Sequence, residues 1–240
     1  MKHTSIIILI LTSLFFGCEE EGWVDQGEYY QIQSQALGRT EPVLVYPPDN
    51  LNSGTGVIYL LNGWGTDPSA WGSGINLGEE ANKRGLMFVS LTAWDNQYLN
   101  YSDRNNADYE DYMLEVVAAI EDAYELEIGY AQRALCGISN GGGGVVYLLS
   151  HYPAYFAAGA SLSGTVYSGI NYAGLKSKGL RLEMGTSDAL LSQARALHQR
   201  LRDNQINHEY HEHAGGHDWD FWKAYAPDQF DFLMGEMILD

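Results

Sequence analysis

The residues of this chain that could do chemistry together are a serine, an aspartate and a histidine, far apart in the sequence. Ser139 is the centre of a G-x-S-x-G pattern at 137–141, Asp188 follows a Gly-Thr-Ser run, and His217 follows two glycines. A serine hydroxyl is a poor nucleophile until a base removes its proton, and a carboxylate must orient that base. The three residue types therefore indicate nucleophilic acyl transfer, if the fold brings them together.

The setting of Ser139 makes the pattern informative, because short glycine and serine patterns recur by chance. An apolar segment at 134–136 predicts a buried strand before it, and a segment at 145–149 predicts a helix after it. A sharp strand-to-helix turn strains its serine, exposes Oγ and places helix N-terminal N–H groups beside it. The glycines at 141–144 also suggest phosphate binding, but no lysine follows them, which excludes a P-loop. A plain β–α turn with an idle serine is the alternative.

Six histidines follow Ser139, and we favour His217 as the base. It lies in a glycine-containing loop between the last predicted strand and the last predicted helix, where a base could hang over the serine. His213 is the alternative. His208, His211, His213 and His217 also suggest a metal site, with His211 and His213 on one strand face. No H-E-x-x-H pattern or nearby cysteine supports such a site, so we predict no metal and no cofactor.

Asp188 is the favoured acid because it follows the predicted strand at 180–184. Capping the next helix is its alternative role, since aspartate is a common N-cap residue. Asp218 and Asp220 are rivals by sequence, but they lie too close to His217 along the chain to orient its ring easily.

An acyl-transfer site also needs N–H donors for the oxyanion that develops on the attacked carbonyl. The N–H of Asn140, directly after the nucleophile, is one candidate. The other should come from the loop after the third strand, residues 62–65, with Trp64 as first candidate and Gly65 as second. A plain turn is the alternative for this loop.

The elements that must position these residues alternate between strands and helices. Apolar runs predict strands at 29–37, 42–46, 57–61, 86–91, 133–137, 156–162, 180–184 and 206–211. Helices are predicted at 69–84, 109–124, 139 onward, 190–201 and 219 onward. This alternation predicts an α/β fold with one mostly parallel sheet and helices on both faces. Ligands then bind beyond the carboxyl ends of the strands, and no insertion is long enough for a large lid.

At these residues the chain resembles the esterase D type of esterases. That family includes S-formylglutathione hydrolases, feruloyl and acetylxylan esterases, enterochelin esterases and mycolyltransferases. The resemblance covers roughly 29–235, and the matching segments are 60–65, 109–112, 137–141, 152–158, 161–164 and 216–219 with Trp222. It implies the α/β-hydrolase fold and a carboxylic ester hydrolase with Ser139, Asp188 and His217 as catalytic triad, and oxyanion donors near Trp64 and Asn140.

Two features depart from the family pattern. Asn62 stands where the family usually has histidine, which puts the hydrogen bonding of that loop in doubt. Residues 141–144 hold more glycine than usual, which should weaken the helix start.

The N-terminal segment predicts export. A positive residue precedes an apolar run at 6–16, too short to span a bilayer stably, and a glycine precedes Cys18. This arrangement is typical of a bacterial lipoprotein signal, in which the cysteine becomes the lipidated N-terminus; an ordinary cleaved signal is the alternative. We predict a signal peptide at 1–17, lipidation at Cys18, an acidic tether at 18–28 and one catalytic domain at 29–240.

The charge balance limits the partners. Thirteen basic and 31 acidic residues give a net charge of −18, and such a surface repels nucleic acid. We therefore expect no nucleic-acid partner, and membrane contact through the N-terminal lipid only. Cys136 lies in an apolar strand and is expected to be a free core residue.

Aromatic residues crowd the loops beyond the predicted strand ends, and Trp94, Tyr101 and Trp219 are candidate substrate-binding residues. The alternative is ordinary core packing. An exported ester hydrolase with an open aromatic cleft suits acetyl or feruloyl esters of carbohydrate, as a small molecule or polysaccharide. An acyltransferase with the same triad and a non-catalytic carbohydrate-binding module remain alternatives. Periplasmic and cell-surface locations both stay open.

Overall fold

A computed structural model describes residues 27–103, 105 and 107–239. The predicted signal peptide at 1–17, Cys18 and nearly all of the predicted tether lie outside the described residues. Within the described ranges, no helix combines the length and apolarity that crossing a bilayer requires.

Eight strands and seven α-helices alternate along the described part of the chain. The strands are β1 Glu28–Ser34, β2 Arg39–Tyr46, β3 Val57–Leu61, β4 Met87–Leu91, β5 Arg133–Ile138, β6 Ala158–Leu162, β7 Gly179–Gly185 and β8 Glu209–His213. The α-helices are α1 Ala70–Gly74, α2 Leu77–Arg84, α3 Tyr109–Ala123, α4 Asn140–His151, α5 Tyr172–Leu175, α6 Leu191–Asp203 and α7 Trp219–Glu236.

All eight strands form one sheet in the order β1-β2-β4-β3-β5-β6-β7-β8. The first two strands pair antiparallel with their neighbours, and β3 to β8 run parallel. Leu61 pairs with Gly137 and Gly137 with Ser161, so β3, β5 and β6 end at the same edge of the sheet. The loops after these strands therefore meet there, and the predicted mostly parallel α/β fold is confirmed.

The sheet is covered on both faces, and each face has its own apolar core. One core joins the sheet to α3, α4, α5 and α6; the other joins it to α1, α2 and α7. The central strands β3 and β4 are buried along their whole length, which is typical of parallel strands covered on both sides. This rigid centre fixes the positions of the loops at the sheet edge.

Several predicted elements differ from the structure: the first strand ends at Ser34, before a turn at 35–38, and the sixth begins at Ala158. The helix predicted at 69–84 is two helices, because two glycines weaken its first part and Asn76 starts a second helix by accepting the Glu79 N–H at 3.2 Å. The last strand begins at Glu209 rather than 206. Ile206 is buried and donates its N–H to Leu201 O at 2.9 Å, so it closes the turn after α6 instead of starting β8.

Candidate active site

Ser139 lies on a strained turn between β5 and α4. Its backbone angles are φ 53° and ψ −116°, a region that non-glycine residues rarely adopt and that costs about 1–3 kcal/mol. The end of β6 and the loop after it hold the turn: Ser139 N–H donates to Leu162 O at 2.9 Å, and Thr165 N–H donates to Ser139 O at 3.0 Å. The serine is thus fixed at the top of the sheet with its side chain partly exposed.

The glycines around Ser139 are required by close approaches of other backbones and rings. A Cβ on Gly141 would lie 2.0 Å from Leu61 O, and one on Gly137 would lie 2.4 Å from the carbonyl carbon of Gly141. A Cβ on Gly144 would lie 2.7 Å from the ring of Tyr98. The first turn of α4 therefore packs directly against the β3 loop and the β4 loop, which explains the glycine-rich run that departs from the family pattern.

The structure brings the three predicted catalytic residues together. Ser139 Oγ lies 2.9 Å from His217 Nε2, and His217 Nδ1 lies 2.8 Å from Asp188 Oδ2. The carboxylate of Asp188 is fully buried, whereas the His217 side chain is 32% exposed. The carboxylate of Asp188 accepts a hydrogen bond from Nδ1–H, so the ring proton stays on Nδ1 and Nε2 presents its lone pair to the serine hydroxyl.

Asp188 has two partners. Its Oδ1 accepts the Leu190 N–H at 2.8 Å, while its Oδ2 faces His217. The carboxylate thus organises the turn before α6 and also orients the histidine, and the two roles weighed from the sequence use different oxygens.

The loops that carry Asp188 and His217 are joined to each other. Thr186 N–H donates to His213 O at 2.7 Å, and Ser187 N–H donates to Gly215 O at 2.9 Å. Trp222 packs against the His217 ring nearly at right angles, with centroids 5.3 Å apart. The histidine is therefore held by a paired backbone and a buried ring as well as by the carboxylate.

The rival residues have other partners. His213 Nε2 lies 2.6 Å from Glu183 Oε1, and its ring stacks on Tyr225 at 4.3 Å. Asp218 caps α7 by accepting the Phe221 N–H at 3.0 Å. Glu183 is not among the residues predicted above, although a glutamate inside an apolar strand is a visible signal. In the described part of the chain, no group of three or more His, Cys, Asp or Glu side chains could hold a metal ion.

The candidate oxyanion donors lie on the two sides of Ser139. Asn140 N–H is at the start of α4, and the loop after β3 passes close to the serine, since a Cβ on Gly63 would lie 3.7 Å from Ser139 Cβ. Gly65 N–H is occupied, because it donates to Trp94 O at 3.0 Å. Among the described residues no acceptor pairs with the N–H of Trp64, which favours Trp64 over Gly65.

Asn62, which stands where the family usually has histidine, makes three hydrogen bonds to the end of β4. Its Nδ2 donates to Leu91 O at 2.8 Å and to Ser90 Oγ at 3.0 Å, and its own N–H donates to Leu91 O. The asparagine therefore ties the end of β3 to the end of β4, and the loop that carries Trp64 begins from a fixed point.

The side chain of Asn140 is also held, by two residues that are not among the site residues predicted above. Tyr167 OH lies 2.7 Å from Asn140 Oδ1 and 2.9 Å from Asn140 O, and Asn140 Nδ2 donates to Asn96 O at 2.9 Å. No local pattern marks Asn96 or Tyr167, since both lie in irregular loops.

Comparison with known proteins agrees with this architecture. A family model described as "Putative esterase" matches residues 34–232, well over half of the chain. The chain belongs to this esterase family. The resemblance found in the sequence is thereby confirmed, and at the level of the family so is the predicted class, a carboxylic ester hydrolase.

Individual relatives of the esterase are distant. An acetyl esterase of Caldicellulosiruptor saccharolyticus is 39% identical over 49 residues, which is 20% of this chain and only 18% of that protein. A ferulic acid esterase structure superposes with a TM-score of 0.77 at 20% identity, covering 88% of this chain and 99% of the other. An S-formylglutathione hydrolase from Staphylococcus aureus gives 0.75 at 17% identity, covering 87% and 96%. At such identities the two structures show the fold alone.

The predicted substrate-binding aromatics of the esterase are partly buried. Trp94 Nε1 donates to Glu41 Oε2 at 2.7 Å, and Tyr101 OH accepts the Gln97 N–H at 3.0 Å. Trp219 packs edge-on against Trp71, with centroids 6.1 Å apart. All three contribute to packing, and their contact with substrate stays a prediction. Trp64, in contrast, is 56% exposed, and its neighbour Gly63 passes close to Ser139.

Proposed function

We propose that the protein is an exported serine ester hydrolase that removes acetyl or feruloyl groups from carbohydrate. The observation that carries this proposal is the continuous hydrogen-bonded chain from Ser139 through His217 to the buried Asp188, set on a strained turn. A nucleophile, a base and an orienting acid in this geometry are what acyl transfer to water requires.

The first half of the reaction forms an acyl-enzyme. The Ser139 hydroxyl donates its proton to His217 Nε2 as Oγ attacks the acyl carbon. The carbonyl oxygen becomes an oxyanion that accepts hydrogen bonds from the N–H groups of Trp64 and Asn140. Loss of either donor should lower the rate by about 10²–10³-fold. The dipole of α4 adds positive potential at the same place. His217 then gives its proton to the leaving alcohol oxygen, and the ester bond breaks.

The second half repeats the steps with water. His217 removes a proton from a water molecule as the water oxygen attacks the acyl carbon. The same N–H groups donate hydrogen bonds to the second oxyanion. The histidine returns the proton to Ser139 Oγ, and the carboxylic acid leaves. Asp188 stays ionised throughout and stabilises each transient imidazolium.

The carbohydrate ester substrate is supported by two observations. The matched relatives include an acetyl esterase and a ferulic acid esterase. The exposed Trp64 directly follows Gly63, which passes close to Ser139, and a flat exposed ring can pack against a sugar or an aryl group. Export rests on the signal predicted at 1–17, and membrane anchoring rests on lipidation of Cys18, both from the sequence.

The test is a panel of esters assayed with the wild type and with Ser139→Ala. We expect hydrolysis of acetyl or feruloyl sugar esters, loss of that hydrolysis in Ser139→Ala, and labelling of the wild type alone by a fluorophosphonate. Equal, background-level rates for both proteins would refute the proposal. Export is tested separately, by following incorporation of a labelled fatty acid into the wild type and into Cys18→Ser in a bacterial host.

A further inference from the structure

The loop after β4 is hydrogen-bonded to the segments that carry both candidate oxyanion donors. Next to Trp64, the Gly65 N–H donates to Trp94 O in this loop at 3.0 Å. Two residues later the loop contacts the other segment through Asn96 O, which accepts Asn140 Nδ2 at 2.9 Å. The spacing of the two donors therefore depends on the conformation of this short segment.

The segment is anchored to β2 and to the start of α3. Trp94 has φ 50°, a strained conformation that must be stabilised by its surroundings. Its indole N–H donates at 2.7 Å to Glu41, a buried carboxylate on β2 that also pairs with Arg39. Asn96 Nδ2 donates to Tyr109 OH at 3.1 Å. A charge-assisted bond to a buried carboxylate is among the stronger single contacts a side chain can make.

Tyr167 completes the arrangement from the other side of Asn140. Its hydroxyl donates toward the Asn140 oxygens and accepts the Tyr98 N–H at 3.3 Å. Burial raises the pKa of Tyr167, so the phenol keeps its proton and remains a donor at any pH suited to the assay. Asn140 is thus held at its carbonyl and at both ends of its side-chain amide.

We propose that Trp94 and Tyr167 are positioning residues that set the two oxyanion donors, Trp94 for the Trp64 N–H and Tyr167 for the Asn140 N–H. Neither residue needs to touch the substrate. Both act through the backbone of a neighbour, so their contribution is realised only when the oxyanion forms. This inference rests on the proposed ester hydrolysis and assigns further residues to it.

The first test is Tyr167→Phe, which removes the hydroxyl and keeps the ring. Because the donor is displaced rather than deleted, we expect kcat for an acetyl ester to fall by about 10- to 100-fold, a part of the loss for a missing donor. KM should change by less than about twofold, since ground-state binding is untouched. The affinity for phenylboronic acid, whose serine adduct carries an oxyanion-like oxygen, should fall by a similar factor.

The matched control is Tyr152→Phe. Tyr152 OH donates to the carboxylate of Glu110 at 3.0 Å, at the opposite end of α4. The Tyr152→Phe variant loses a comparable hydrogen bond far from the serine, so its kcat and its boronate affinity should stay within about twofold of the wild type.

The second test is Trp94→Phe, which keeps the backbone carbonyl but removes the bond to Glu41. We expect the same signature, a lower kcat and weaker boronate binding at nearly constant KM. If Tyr167→Phe fails to fold, this variant decides the proposal.

The outcomes separate this inference from the proposed function. A wild type as inactive as Ser139→Ala would refute ester hydrolysis itself. An active wild type whose folded Tyr167→Phe and Trp94→Phe variants keep kcat within about twofold would overturn the positioning roles alone. So would a fall in kcat that Tyr152→Phe shares, or a fall without weaker boronate binding.

Discussion

Replacing Asp188 by asparagine should inactivate the protein without unfolding it. The carboxylate accepts Leu190 N–H with Oδ1 and His217 Nδ1–H with Oδ2, each at 2.8 Å. Asparagine keeps the shape but has one acceptor oxygen and one NH₂ group. The Leu190 N–H is fixed in the backbone and can only donate, so the amide oxygen stays there and the NH₂ group faces His217.

The consequence for His217 is the wrong tautomer. An NH₂ group facing Nδ1 requires Nδ1 to accept a hydrogen bond, so the ring proton moves to Nε2. Nε2 then has no free lone pair with which to take the serine proton. The loss expected from a forced tautomer is about 10⁴ in kcat, or about 5.4 kcal/mol of transition-state stabilisation. Both hydrogen bonds of residue 188 persist, so the melting temperature should change little.

The assay is kcat and KM on a chromogenic acetate ester, with thermal unfolding followed in parallel. Asp218→Asn is the matched control, because Asp218 adjoins His217 in the chain but only caps α7, and an asparagine oxygen caps as well. A folded Asp188→Asn variant that retains more than about a tenth of the wild-type kcat would refute the tautomer reasoning.

Three further predictions concern stability and titration. Gly235 is exposed and a Cβ added there would meet no atom within 4 Å, so Gly235→Ala should stabilise the protein by about 0.5–1 kcal/mol in urea unfolding. Gly144→Ala should destabilise it by about 1–3 kcal/mol, because its Cβ would clash with the ring of Tyr98. Burial raises the pKa of the Cys136 thiol, so in the Cys18→Ser variant a thiol reagent such as DTNB should react only after unfolding in guanidinium; rapid reaction of that native variant would contradict this. Arg195 lowers the pKa of Glu212 to about 2 from an ordinary 4.5, and carboxyl NMR titration should return it towards the ordinary value in Arg195→Gln. The stabilisation from this exposed pair is complete above pH 4.5 and is lost as the pH falls towards 2.

The parts of the site that a sequence can predict are those marked by local patterns. The serine turn combines a strand, a fixed glycine spacing and a helix within a few residues, and Asp188 and His217 follow strand-like segments in the expected order. The sheet could be predicted for the same reason, since apolar runs of strand length recur between helical segments.

The positioning residues could not be predicted, because their partners are distant in the sequence. Trp94 and Glu41 are 53 residues apart, Asn96 and Asn140 are 44 apart, and Tyr167 and Asn140 are 27 apart. Such contacts depend on the order in which the strands assemble, which hydrophobic spacing does not determine. Apolar spacing alone predicts one helix at 69–84, whereas the structure breaks it where Asn76 caps a second helix.

The glycine-rich start of α4 also affects how the site melts. Each of the four glycines at 141–144 lowers local helix stability by about 1 kcal/mol relative to alanine, so this turn has little tendency to form alone. It is ordered by the surrounding β3, β4 and β6 loops, and it loosens when any of them moves. On heating, ester hydrolysis should therefore disappear before the far-ultraviolet circular dichroism signal does, because the Ser139 turn opens as a local unit while the sheet beneath it is still folded.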